Sequence, residues 1–200
     1  TIPLPVNEPI MSYSPGSPEK ESLKNKLEEL KSTQVEIPLI ITGEEIKTGT
    51  TGTCVMPHNH QHVLATYHKA GEKEVHLAIE SALDAWNNWS SQSLEYRAGI
   101  FLKMAELLAG PYRDVINAST MLNMSKNAYQ AEIDSACELI DFWNFNVHFA
   151  RELYQHQPMY SPEGMKNTTE HRALEGFVLA VTPFNFTSIA GNLPTSPALM

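Results

Sequence analysis

Apolar and polar positions alternate along this chain in three successive rhythms. Leu23, Leu27 and Leu30 recur at helical spacing behind Ser17-Pro18-Glu19. A serine cap, a proline at the first helical position and an acid in the first turn predict a helix running to about Ser32. The rhythm then shortens. Val35 to Ile41 favours a strand, Thr42-Gly43-Glu44 a turn, and Glu45 to Lys47 a second strand. Cys54–Met56 and Val63–Tyr67 predict two more strands, joined by Pro57-His58-Asn59-His60. Residues 35–67 are thus expected to form a small antiparallel meander. Helical spacing returns from Lys73 to Trp89, with Val75, Ile79, Ala82 and Trp86 on one side. It continues from Ser93 to Gly110-Pro111, over about 112–123, and over about 126–154, where Ile133, Cys137, Ile140 and Asn144 share a flank. Pro158, Pro162 and Gly164 end the last helix. A polar stretch from Met159 to Leu174 leads to Phe177–Val181, an unbroken apolar run that reads as a strand buried on both faces of a parallel sheet.

Helices first and a parallel-type strand last predict an α/β protein. Composition narrows the partners. The chain of 200 residues is 42% hydrophobic and carries a net charge of −9, which suits a packed core and disfavours nucleic acid or an anionic membrane surface. No stretch nears the ~20 apolar residues of a bilayer-spanning helix. The start at Thr1, without signal-peptide or transit-peptide character, suggests a processed or incomplete N-terminus. Cys54 and Cys137 are too few for a disulfide scaffold and read as buried, inert thiols in a reducing compartment.

Three groups carry candidate chemistry. His58, His60 and His62 alternate as metal ligands on a strand can, but no neighbouring acid or thiol completes a site, so a solvated turn is expected and no metal is assigned. Glu132, Asp134, Glu138 and Asp141 fall at helical neighbour spacings; spacing alone favours a solvated acidic face over a site for a cationic substrate group. Asn185 follows Pro183, which cannot extend a ladder. In open α/β sheets, ligands bind beyond the carboxyl ends of strands. An amide there can donate to an oxygen that becomes negative during attack on a carbonyl. A plain turn asparagine is the competing reading. Neither GxGxxG nor GxxxxGK[ST] is present.

The run Leu174-Glu-Gly-Phe-Val-Leu-Ala-Val-Thr-Pro-Phe-Asn-Phe-Thr-Ser-Ile-Ala-Gly-Asn-Leu resembles the aldehyde dehydrogenase superfamily, in the branch that oxidises glutamate γ-semialdehyde during proline breakdown. Asn7-Glu-Pro with Gly16-Ser-Pro-Glu, the run from Phe101 to Pro111, and the block from Gln130 to Trp143 carry the same resemblance over nearly the whole chain. It implies an aldehyde dehydrogenase-like α/β fold, in which N-terminal helices and antiparallel strands lead into the first strand of a Rossmann-like NAD-binding domain. Residues 1–157 would be the N-terminal helical and strand part, 158–175 part of the oligomerisation region, and 176–200 the first strand and helix start of the NAD-binding core. The cofactor implied is NAD. Thr182, Pro183, Phe184 and Asn185 would lie along its nicotinamide ribose, and Asn185 would also be the oxyanion-hole amide. Glu138 would meet the substrate's α-ammonium group and Phe186 its aliphatic chain.

The resemblance further implies a small-molecule substrate, a homodimer and the mitochondrial matrix. It places the thiol nucleophile, the general base and most of the NAD pocket beyond the position matching Met200. The chain as given is therefore expected to lack dehydrogenase activity. Two rivals stand beside this reading: another aldehyde dehydrogenase with a different substrate, and a truncated, non-catalytic product that acts by binding a full-length subunit.

Overall fold

The structure is a computed structural model that describes residues 2–200. Helix α1, Pro18–Ser32, begins where Ser17 accepts the backbone N–H of Lys20 at 3.3 Å. The expected first strand is divided in two, β1 Val35–Ile37 and β2 Leu39–Ile41, because Pro38 has no N–H for a ladder. β2 pairs antiparallel with β3, Glu44–Ile46, and the turn between them places Thr42 and Gly43 at positive φ. β4, Thr51–Met56, and β5, Asn59–His68, form an antiparallel hairpin. The expected antiparallel meander is corrected at its edge, since β1 runs parallel to β5, with Val35 opposite Ala65. The β2–β3 hairpin lies between β1 and β4 in sequence, so the chain re-enters this sheet as β4, antiparallel to β1, and only β5 runs in the direction of β1. Gly52 lies under the Tyr67 ring, where a Cβ would fall 2.5 Å from ring atoms.

Four longer helices follow: α2 Glu72–Ser90, α3 Leu94–Ala109, α4 Arg113–Met124 and, further on, α6 Glu138–Gln155. Ser93 caps α3 by accepting from Tyr96 N–H at 3.1 Å. The main core lies between α3 and α6. Ala98, Phe101, Ala105 and Leu108 pack against Leu139, Ile140, Trp143 and Val147. Small residues on α3 let the larger side chains of α6 approach closely. A smaller cluster joins Tyr13, Leu23 and Ala118, seating the N-terminal arm and α1 on α4. Helix α2 departs from the expectation of a buried apolar side. It buries no residue, and Val75 and Trp86 are exposed, because the described residues put little against that face.

The single helix expected over 126–154 is three pieces. A short α5, Ala128–Ala131, passes into a π-helical turn, Glu132–Cys137, and then into α6. Each π turn accommodates more residues than an α turn, so the side chains on its two sides no longer follow one 3.6-residue rhythm. Beyond α6, Phe177–Val181 is also corrected. It forms no ladder, and Phe177, Val178, Leu179 and Val181 are exposed. A buried parallel strand needs neighbours on both edges, and none of the described strands lies beside it. A 3-10 turn, Ile189–Asn192, and a short α7, Ser196–Leu199, close the chain against α6.

Candidate functional site

The acidic face expected to be solvated is mostly claimed from within. Glu132 is 0% exposed. Its carboxylate accepts from the Arg113 guanidinium, from Tyr13 Oη at 2.7 Å, from Asn117 Nδ2 at 2.8 Å and from the Met11 N–H at 2.8 Å. Arg113 also donates to Glu8 and to the Pro9 carbonyl. Burial pushes the Glu132 carboxyl up, but these donors outweigh it and hold it below the usual carboxylate range. The same surroundings raise the Tyr13 hydroxyl, by burial first and then by Glu132. Cys137 packs against this group, and burial with the nearby Glu132 charge pushes its thiol up to about 12. It is buried, as expected. Cys54 is only half-buried, with its Sγ 3.6 Å from Asn123 Oδ1.

Asp134 pairs with Lys126 at 2.6 Å. Asp141 accepts from Asn7 Nδ2 and the Glu8 N–H, both at 2.7 Å. Glu138 alone of the four acids has no partner among the described residues. It is half-buried at the first turn of α6, and its carboxyl is raised by burial and by Asp134, against the lowering influence of Lys126. Its carboxylate oxygens therefore keep lone pairs that no hydrogen-bond donor among the described residues takes up.

Phe186 lies against the same place. The Lys126 ammonium sits 4.2 Å from the centroid of its ring, so Lys126 joins the Phe186 segment to the acids of the π turn. Just before it, Thr182, Pro183, Phe184 and Asn185 are exposed, and the Asn185 amide makes no hydrogen bond among the described residues. Immediately after, the chain is tied down. Ser188 Oγ donates to the Ser135 carbonyl at 2.5 Å. Asn146 on α6 donates to Asn192 Oδ1 at 3.1 Å and to Ser196 Oγ at 2.8 Å. Trp143 Nε1 donates to Thr195 Oγ1 at 3.2 Å. An anchored base therefore carries a free, polar rim whose amide and hydroxyl have lone pairs and protons to offer. These residues fit one side of a nucleotide ribose and a carbonyl oxygen.

The histidine cluster does not enter this site. His58 leaves the hairpin turn to share a 2.7 Å hydrogen bond with Ser125, and His60 is exposed. Sequence reasoning missed the Glu132 network and the Asn146–Asn192–Ser196 tie. One signal was available: Arg113 places a cation in the first turn of a helix, against the helix dipole, which calls for a carboxylate nearby.

This arrangement of helices, split sheet and terminal Pro-Phe-Asn-Phe segment matches a known family. The chain belongs to the aldehyde dehydrogenase family, whose model matches residues 45–200. More particularly, all 200 residues align at 48% identity with the Delta-1-pyrroline-5-carboxylate dehydrogenase of Agaricus bisporus, covering 100% of this chain and 37% of that protein. The mitochondrial Delta-1-pyrroline-5-carboxylate dehydrogenase of Homo sapiens is 45% identical over 194 residues, 97% of this chain and 34% of that protein. Among solved structures, the Mycobacterium tuberculosis Delta-pyrroline-5-carboxylate dehydrogenase bound with NAD superposes with a TM-score of 0.95 at 48% identity, covering 100% of this chain and 37% of that one. The chain thus spans 34–37% of the length of these relatives.

Proposed function

We propose that this chain is the N-terminal part of an NAD-dependent dehydrogenase that oxidises L-glutamate γ-semialdehyde, the open form of Δ1-pyrroline-5-carboxylate, to L-glutamate. The observation that carries the reading is likeness along the whole chain, at 43–48% identity, to proteins named for that substrate. When bound, NAD would accept the hydride that leaves the aldehyde carbon. The residues of this chain hold and orient the substrate. Glu138 pairs with the α-ammonium, Phe186 covers the aliphatic chain, and the Asn185 amide donates to the aldehyde oxygen as it gains negative charge. Thr182 to Asn185 line the nicotinamide ribose. The free amide of Asn185 and the partnerless carboxylate of Glu138 support these assignments.

The proposal extends to organisation. Residues 1–157 form the N-terminal part, 158–175 contribute to a homodimer, and 176–200 open the NAD-binding core. The exposed apolar side chains of Met159, Tyr160 and Met165 favour a covered 158–175 segment. A mitochondrial matrix location follows the names of relatives such as those of Dictyostelium discoideum and Emericella nidulans. The test is direct. The full-length protein is supplied with NAD and either glutamate γ-semialdehyde or an unsubstituted aldehyde of equal chain length, and NADH is followed by absorbance. A strong preference in kcat/KM for the amino-acid aldehyde is expected; equal rates on both would overturn the substrate assignment.

A further inference from the structure

Lys126 occupies a place that the reaction outlined above leaves unexplained. The chain turns sharply to deliver it. Ser125 ends α4 in the left-handed region at φ 54°, and Asn127 caps α5, accepting from Gln130 N–H at 2.9 Å while Gln130 Oε1 accepts from Asn127 N–H at 3.0 Å. Lys126 is held between these two fixed points. Its ammonium pairs with Asp134 at 2.6 Å on the π turn and lies 4.2 Å from the Phe186 ring centroid. Both ends of the pair are largely shielded, with side-chain exposures of 18% and 26%. A cation over an aromatic face is attracted by the ring quadrupole, and more strongly as water is excluded.

We propose that Lys126 is a positioning residue for substrate specificity: tethered by Asp134, its ammonium fixes the Phe186 ring beside Glu138, so that the apolar wall and the ammonium receptor act as one pocket. This rests on the proposed roles of Phe186 and Glu138. Among the described residues, the nearest hydrogen-bonded tie to the ring is two residues on, from Ser188 to Ser135. The Lys126 ammonium, 4.2 Å from the ring centroid, is the charged group seated on the ring and so is placed to orient it. Lys126 is not the partner of the substrate carboxylate on this geometry, because its charge is already taken up by Asp134 and the ring.

The test compares K126M, K126R and D134N in the full-length protein, with glutamate γ-semialdehyde and an unsubstituted aldehyde of the same length. K126M is expected to raise KM for the amino-acid aldehyde roughly tenfold, with kcat changed by less than about threefold and the unsubstituted aldehyde little affected. K126R keeps the cation and should restore most of the loss, and D134N should fall between. Equal losses on both substrates, or no rise in KM, would overturn the proposal. A crystal structure of K126M gives a readout independent of substrate: the Phe186 ring should leave its place, and a ring that stays put refutes the positioning role. A wild-type protein with no preference for the amino-acid aldehyde would instead refute the substrate assignment, so the two failures are distinguishable.

Discussion

Glu138 is set apart from Glu132, Asp134 and Asp141 by what it lacks. Each of the other three is neutralised or hydrogen-bonded within the chain, and Glu138 is left half-buried among their charges. Burial and Asp134 raise its pKa above the ordinary carboxylate value, so the folded protein holds its proton more tightly than the unfolded chain does. Ionising it therefore costs stability as pH rises through its folded pKa, and no such cost exists below the unfolded value. In the proposed role of Glu138, a substrate ammonium would offset that cost by pairing with the carboxylate. KM for the amino-acid aldehyde should fall as pH rises through the Glu138 pKa, and E138Q should raise KM about tenfold and flatten this dependence. Initial-rate pH profiles of both proteins check this; an unchanged slope in E138Q would assign the titration elsewhere. Asn185 bears on a different quantity. In its proposed role the amide meets charge that exists only during reaction, so N185A in the full-length protein should lower kcat by about 10²–10³ with little change in KM. A variant that raises KM at constant kcat would make Asn185 a binding residue instead.

At the scale of elements, the local chemistry of helix starts was readable and the π turn was not. Ser17 and Ser93 cap helices because short hydroxyl side chains reach backbone N–H groups in the next turn, a relation wholly contained in neighbouring residues. The π turn depends on partners far away in sequence. Glu132 faces inward because Arg113, Asn117, Tyr13 and Met11 meet it there, and no local pattern announces four such donors. These bonds also dock the N-terminal arm on the π turn that leads directly into α6 and Glu138. Removing the carboxylate leaves buried donors unsatisfied, so E132A should destabilise the full-length protein by about 3–5 kcal/mol. Urea denaturation at neutral pH measures it, and a loss under about 1 kcal/mol would show that the network is dispensable. The pH sign follows from the depressed Glu132 pKa. Its contribution is present above the unfolded carboxylate value of about 4.3 and disappears as pH falls through the lower folded value. Acid denaturation should therefore begin with release of the arm.

Across the whole molecule, the sequence placed Asn185 beyond an apolar run by general rules of α/β sheets, whereas Glu138 and Phe186 became site residues only through family resemblance. Lys126 links the Phe186 ring to Asp134, and Ser188 ties to Ser135, contacts between distant segments that periodicity does not encode. The apolar run itself shows how a strand depends on its surroundings. Phe177–Val181 has the composition of a buried central strand, yet Leu179 and Val181 are 79% and 80% exposed and no ladder forms. Side-chain pattern supplies the apolar faces, but backbone N–H and C=O groups need strands on either edge. In the proposed full-length enzyme those strands come from the rest of the NAD-binding domain. Residues 177–182 should then exchange their amide hydrogens near solvent rates in the 200-residue chain expressed alone, and slowly in the full-length protein. The α3–α6 core should be protected in both, since Phe101, Ile140 and Val147 are buried within this chain. Hydrogen exchange read by mass spectrometry separates the two regions. Equal protection of 177–182 in both proteins would mean that this stretch finds its partners without the remaining sheet.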